Sequence, residues 1–181
     1  EACGQAGYVV KAYEPEQNLV EMGLERIGAF LEKGVKKGKV SSEQKIEVLR
    51  RIEGTTRLAD FANCDLVIEA TPENLRLKKE IFQKLDEICL PQSILATNTS
   101  TLSVIDIAAA TSRKEKVAGL HFFNPAQLMK LVEVVRSLET APEVVETVRA
   151  FGESLGKTVI ISKDTPGFIV NYLQLAFRLN A

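Results

Sequence analysis

The chain has a single histidine, His121, so any acid–base step near neutral pH that uses an imidazole must use that residue. It closes the apolar run KVAGL and leads into Phe122, Phe123, Asn124 and Pro125. Glu133, twelve positions later, lies inside a second apolar run, LVEVV. A carboxylate in such a strand is costly to bury alone, and a nearby imidazole is the kind of group that would orient it and balance its charge. The alternative is an edge strand with Glu133 turned to water. Asn98, Thr99 and Ser100 follow the run ILAT and set small hydrogen-bonding side chains where a strand would end. The same three residues would also serve as a helix cap. The chemistry these types can perform together is proton transfer.

Such residues need strands whose ends share one edge, and the hydrophobic periodicity supplies them. Glu1–Gly7 reads as the last turns of a helix closed at Gly7, and Tyr8–Tyr13 as a strand ending at Glu14 and Pro15. From Pro15 to about Lys37, Val20, Leu24, Ile27 and Leu31 recur at helical spacing. Ser41 and Gln44 have capping-box spacing at the start of a second helix, to Arg51, with Ile46, Leu49 and Ile52 on one face. Further strands are predicted at Asp65–Thr71, Ile94–Thr97, Lys116–Leu120, Leu131–Arg136 and Thr158–Ser162. Between them run helices: one with Ile81, Phe82, Leu85 and Ile88 inward, one near Ser103–Ala110, and one capped by Thr140 and Glu143. That last helix carries Val144, Val148, Phe151 and Leu155 on one face and stops at Gly156. Asp164–Gly167 looks like the cap of a final helix. The alternation predicts an α/β fold, a doubly wound, mostly parallel, Rossmann-like sheet with helices on both faces. It would span residues 1–163, with 164–181 opening a helical C-terminal domain.

Ligands of such sheets sit outside the carboxyl ends of the strands. Glu14 stands where a dinucleotide-binding fold places an acid on the adenosine ribose, a preference for NAD over NADP, although a solvated turn carboxylate would look the same. The matching Gly-rich loop between strand and helix is absent, since Gly4 and Gly7 lie at a helix end.

Composition narrows the partners. Of 181 residues, 45% are hydrophobic and 26% charged, which fits a chain folded around a core. The 23 basic and 24 acidic residues leave a net charge of −1, so no general attraction to nucleic acid or anionic membrane is expected. Cys3, Cys64 and Cys89 are odd in number and form no CxxC pair, so neither a disulfide framework nor a cysteine metal site is implied, and a reducing compartment is expected. No apolar run approaches a membrane span of about 20 residues.

The stretches DLVIEATPENLRLKKEIF, ATNTSTLSV, GLHFFNPAQLMKLVEVV and KDTPGFIVNYL occur in the order found in the L-3-hydroxyacyl-CoA dehydrogenases, which the chain resembles almost end to end. The resemblance implies NAD-dependent oxidation of an L-3-hydroxyacyl-CoA to a 3-oxoacyl-CoA, or the reverse, in fatty-acid or butanoate metabolism. It implies that His121 is the base, Glu133 its partner, Ser100 a hydrogen-bond donor to the reacting oxygen, and Asn171 the residue that completes the site. Glu14 is similar to the family's ribose-binding acid, Glu73 to a residue near the nicotinamide, and Lys78 to a lysine serving the bound cofactors. The base would take the proton that leaves the alcohol oxygen while hydride leaves carbon, and the Glu133 carboxylate would stabilise the imidazolium. Lys33, Lys36, Lys37 and Lys39 could attract coenzyme A phosphates, or could simply face water at a helix C-terminus.

The chain departs from the family at Tyr172, where Arg is usual, and in lacking the first strand, the Gly-rich loop and most of the helical domain that forms the dimer. It is therefore expected to be a piece of a longer enzyme, inactive alone, that would form a homodimer in bacterial cytoplasm or, equally compatibly, the mitochondrial matrix. Three rival readings are a β-hydroxyacid dehydrogenase acting on a free acid, a non-catalytic binding relative, and a natural short protein without the nucleotide loop.

Overall fold

In a computed structural model that describes residues 1–179, the chain divides into two compact units, Glu1–Asp60 and the remainder from Phe61. The first contains α1 (Ala2–Gln5), β1 (Val10–Tyr13), α2 (Gln17–Lys36), α3 (Ser42–Arg50) and β2 (Ile52–Thr55). β1 and β2 pair in parallel, Val10 opposite Ile52 and Tyr13 opposite Thr55. The expected capping box is present, with the Ser41 hydroxyl accepting from the Gln44 amide and the Gln44 side chain accepting from the Ser41 amide. Leu31, Val48 and Ile52 form the core of this unit, with Leu24 and Ile27 packed against them.

Two expectations change here. Ile52 does not extend the face of α3 but opens β2, a strand too short and too polar (IEGT) to alternate visibly; its pairing with β1 decides its conformation. Ile46, expected to share a face with Leu49, is half exposed, and α3 buries only Val48 fully.

The second unit contains β3 (Leu66–Glu69), α4 (Leu75–Ile88), β4 (Ile94–Thr97), α5 (Val104–Ala108), β5 (Val117–Phe122), β6 (Leu131–Arg136), α6 (Pro142–Ser154), β7 (Thr158–Lys163) and α7 (Val170–Leu179). Its sheet has the order β3-β4-β5-β6-β7, parallel at every pairing except β5 with β6. The described strands thus make two sheets, mostly parallel as expected.

The two faces of the larger sheet follow from strand alternation. Ala118 and Leu120 of β5 and Val132 and Val134 of β6 pack against Val144, Val145 and Val148 of α6. Each buried valine contributes roughly 1.5–3 kcal/mol. Gly119 and Val135 therefore lie on the opposite face, where a Cβ on Gly119 would stand 2.6 Å from Val135 and 3.1 Å from Val104 of α5. His121 and Glu133 belong to that face.

The ends of elements bring three further corrections. β5 runs one residue past its expected end at His121, because the antiparallel pairing with β6 continues to Phe122 opposite Val132. The Thr140–Glu143 capping box does not form. Pro142 opens α6 with Ala141 at the cap, and a proline there needs no partner for an N–H it lacks. The Thr140 hydroxyl instead donates to the Val117 carbonyl and accepts from the Ser137 amide, tying the connection to β5. Asp164 does not cap the final helix. Its carboxylate accepts from the amides of Val104 (2.9 Å) and Ile105 (2.8 Å) and from the Ser103 hydroxyl, so it caps α5 from a distant part of the chain.

Candidate active site

The reversal between β5 and β6 places His121 directly opposite Glu133. His121 Nδ1 lies 2.7 Å from Glu133 Oε2, with the imidazole 4% exposed and the glutamate 0%. Burying a carboxylate costs several kcal/mol unless its oxygens are satisfied. Here Oε1 accepts from the amides of Ile169 (3.0 Å) and Val170 (3.1 Å), the start of α7, while Oε2 faces the imidazole. The carboxylate can only accept, so the imidazole carries its proton on Nδ1, and Nε2 presents a lone pair with no protein partner among the described residues. Phe123 lies with its ring centroid 4.5 Å from that of His121, and Phe168 5.7 Å away, edge to face.

The segment after β4 stands beside this pair. Asn98 Oδ1 accepts from the Phe122 amide at 2.8 Å, joining the end of β4 to the end of β5. Half-buried Ser100 follows, its carbonyl accepting from Asn171 Nδ2 at 3.2 Å. Glu73 holds the same segment from the other side. Its Oε1 accepts from the Thr99 hydroxyl (2.5 Å) and from the amides of Ser100 (2.8 Å) and Thr101 (3.1 Å). Partial burial alone would push the Glu73 carboxyl up, but these donors and the nearby Lys78 charge outweigh it and hold it below the usual glutamate value.

Lys78 is almost wholly buried. Its Nζ donates to Glu69 Oε1 (2.8 Å) and the Thr71 carbonyl (2.9 Å), and stands 3.6 Å from Glu73 Oε2. Glu69 in turn accepts from the Thr71 amide and from the hydroxyls of Thr71 and Thr97. The resemblance makes this residue a lysine serving the bound cofactors. Its burial instead makes it a tie between the end of β3, the following turn and Glu73.

Of the residues singled out from sequence, the structure thus brings His121 to Glu133, and Asn171 and Glu73 to the Ser100 segment, with Lys78 behind Glu73. Glu14 follows β1 in the first unit, exposed, with no side-chain partner among the described residues. Tyr172 is 62% exposed and lines a cavity of about 290 Å³ together with Thr101, Pro166, Asn171 and Leu175. Sequence reasoning passed over Glu69, although a carboxylate inside LVIE carries the same signal as Glu133 in LVEVV, and over Phe168, which looks like any core residue. Among the described residues no group of three or more His, Cys, Asp or Glu could hold a metal ion, and no helix is long and apolar enough to cross a membrane.

Comparison with known proteins places the chain in a family. Residues 1–165 match the family model described as 3-hydroxyacyl-CoA dehydrogenase, NAD binding domain. A probable 3-hydroxybutyryl-CoA dehydrogenase of Bacillus subtilis is 41% identical over 175 residues, covering 97% of this chain and 61% of that protein. A 3-hydroxyadipyl-CoA dehydrogenase of Escherichia coli is 44% identical over 171 residues, covering 94% of this chain and 36% of that protein. The crystal structure of (S)-3-hydroxybutyryl-CoA dehydrogenase PaaH1 from Ralstonia eutropha superposes with a TM-score of 0.95 at 37% identity, over 97% of this chain and 62% of that one. The chain therefore spans between about a third and just under two thirds of the length of these relatives. It belongs to the 3-hydroxyacyl-CoA dehydrogenase family, as a representative of its NAD binding domain.

Proposed function

We propose that the protein carrying this chain is an NAD-dependent dehydrogenase that interconverts 3-hydroxyacyl-CoA and 3-oxoacyl-CoA thioesters. The observation that carries this reading is the buried His121–Glu133 pair with its outward-facing Nε2. The relatives named for 3-hydroxybutyryl-CoA and 3-hydroxyadipyl-CoA support a coenzyme A thioester as the substrate class. The same reading makes residues 164–181 the beginning of a helical domain through which two copies pair.

The residues present suit the cofactor that the family implies. Glu14 has a free, exposed carboxylate just past a strand, the acceptor that two ribose hydroxyls require, and it would hold that end of the molecule. Bound NAD supplies the acceptor for the hydride that leaves the 3-carbon. Proton management belongs to the chain. His121 Nε2 accepts the proton of the 3-hydroxyl, and the Glu133 carboxylate stabilises the positive charge that appears on the ring. The Ile169 and Val170 amides keep Glu133 aimed at Nδ1 throughout. Ser100, fixed through its backbone by Glu73 and Asn171, offers its hydroxyl to the reacting oxygen and steadies charge there. In the reverse direction His121 returns the proton to that oxygen.

The test uses the full-length protein and follows NADH absorbance with acetoacetyl-CoA and with free acetoacetate. Turnover of the thioester with little or none of the free acid is the expected result. Equal rates on the two would replace the thioester reading by that of a hydroxyacid dehydrogenase, and NADH binding without turnover of either would leave a binding protein.

A further inference from the structure

We propose that Phe168 is a positioning residue for the His121 base: its left-handed backbone directs the amides of Ile169 and Val170 onto Glu133, and its ring holds the imidazole in place. The proposal rests on the reading of His121 as the base.

Phe168 is the one non-glycine residue with positive φ among the described residues, at +52°, and it follows Gly167 at +78°. Consecutive left-handed residues turn the chain sharply, and a bulky side chain is rarely found there unless its surroundings hold it. At Gly167 a side chain would be strained by the left-handed backbone and crowded, with a Cβ 3.1 Å from the Tyr172 nitrogen. The turn has a clear consequence. It aims the amides of the next two residues, Ile169 and Val170, at the same oxygen of Glu133. The next residue, Asn171, reaches the Ser100 carbonyl, so a single turn of chain steadies both halves of the site.

A glycine would take up this backbone without resistance. The presence of phenylalanine therefore points to the ring, which is 3% exposed and meets His121 edge to face at 5.7 Å and 61°. The bond from Nδ1 to Glu133 leaves the imidazole free to rock about that axis. Phe168 and Phe123 both pack against the imidazole, so rocking is limited and water is kept from the ring. Glu133 is the one charged group hydrogen-bonded to His121 among the described residues.

The experiment compares wild type, Phe168→Gly, Phe168→Leu and His121→Ala in the full-length protein. It measures NAD-dependent oxidation of 3-hydroxybutyryl-CoA as a function of pH. Phe168→Gly keeps the turn and removes the ring; Phe168→Leu keeps apolar bulk and removes the aromatic edge. In both, kcat is expected to fall at least about tenfold while KM changes by less than about twofold. The low-pH limb of kcat/KM should move to higher pH, because water admitted to the ring stabilises the imidazolium. A residue that merely supports the fold would lower the active fraction without moving that limb. If Phe168→Gly does not fold, Phe168→Leu decides alone. An unmoved limb and a kcat within about twofold in the folded variants, with His121→Ala inactive, overturn the proposal alone. Near-wild-type turnover by His121→Ala, or none by wild type, overturns the base reading and the proposal with it.

Discussion

Glu133, fully buried, accepts three hydrogen bonds: one from an imidazole and two from backbone amides. Only a carboxylate can do this, since an amide side chain has one oxygen and a nitrogen that must donate. Glu133→Gln therefore has to abandon either the Ile169 and Val170 amides or His121 Nδ1. An amide NH₂ turned toward Nδ1 would move the ring proton to Nε2 and remove the lone pair needed for catalysis. By comparison with the carboxylate of a serine-protease triad, kcat should fall by about 10³-fold or more, with NADH affinity unchanged. Steady-state kinetics and an NADH titration check this; a loss of less than about threefold would show that the carboxylate does not set the tautomer. This pair was legible in sequence because the residue types are telling: one histidine, and one acid within a valine-rich run. Phe168 was not, since nothing local distinguishes a phenylalanine that touches the base from one that fills a core.

Elements in the second unit are joined by carboxylates that accept from exposed amide ends. Glu73 gathers the segment after β4, Asp164 caps α5, and Asp86 of α4 accepts from the Ser112 amide (2.7 Å) and Arg113 Nε (2.6 Å). Arg113 also reaches the Leu90 carbonyl and the Asp86 carbonyl, fixing the end of α4. Burial would raise the Asp86 carboxyl, but the Ser112 bonds and the Arg113 guanidinium prevail and hold it below the ordinary aspartate range, as the donors around Glu73 do there. A carboxylate depressed in the folded state stabilises that state fully above its unfolded value, near pH 4, and the contribution is lost as pH falls through the folded value. Stability measured by urea unfolding should therefore drop between about pH 5 and pH 3. The double variant Glu73→Gln, Asp86→Asn should be less stable at neutral pH and decline less on acidification; an unchanged decline would refute this assignment. Such ties were hidden from sequence because they are long-range. Asp164 sits beside a plausible helix start and serves α5 instead, and β2 takes its identity from pairing with β1. By contrast, α2, α3 and α6 were legible because an amphipathic helix repeats its apolar positions locally, although Thr140 turned out to bond to β5.

At the scale of the whole molecule, the order of strands and the single reversal at β6 determine what the site can be. A parallel β6 would carry its residues past β5 in the opposite sense, and His121 would not meet Glu133 at this register. The alternation of apolar runs predicted the α/β class and five strands of the larger sheet; it did not show that two sheets would form or which pair of strands runs antiparallel. Family membership rests on the match over residues 1–165, and the chain's share of its relatives' length makes the activity a property to be measured on the full-length protein. The decisive measurement is NADH oxidation with acetoacetyl-CoA by that protein and its His121→Ala variant, with NADH affinity determined for both. The account predicts turnover reduced by about 10³-fold or more with NADH affinity nearly intact. Turnover within about tenfold of wild type in a folded His121→Ala variant would contradict the assignment of the base.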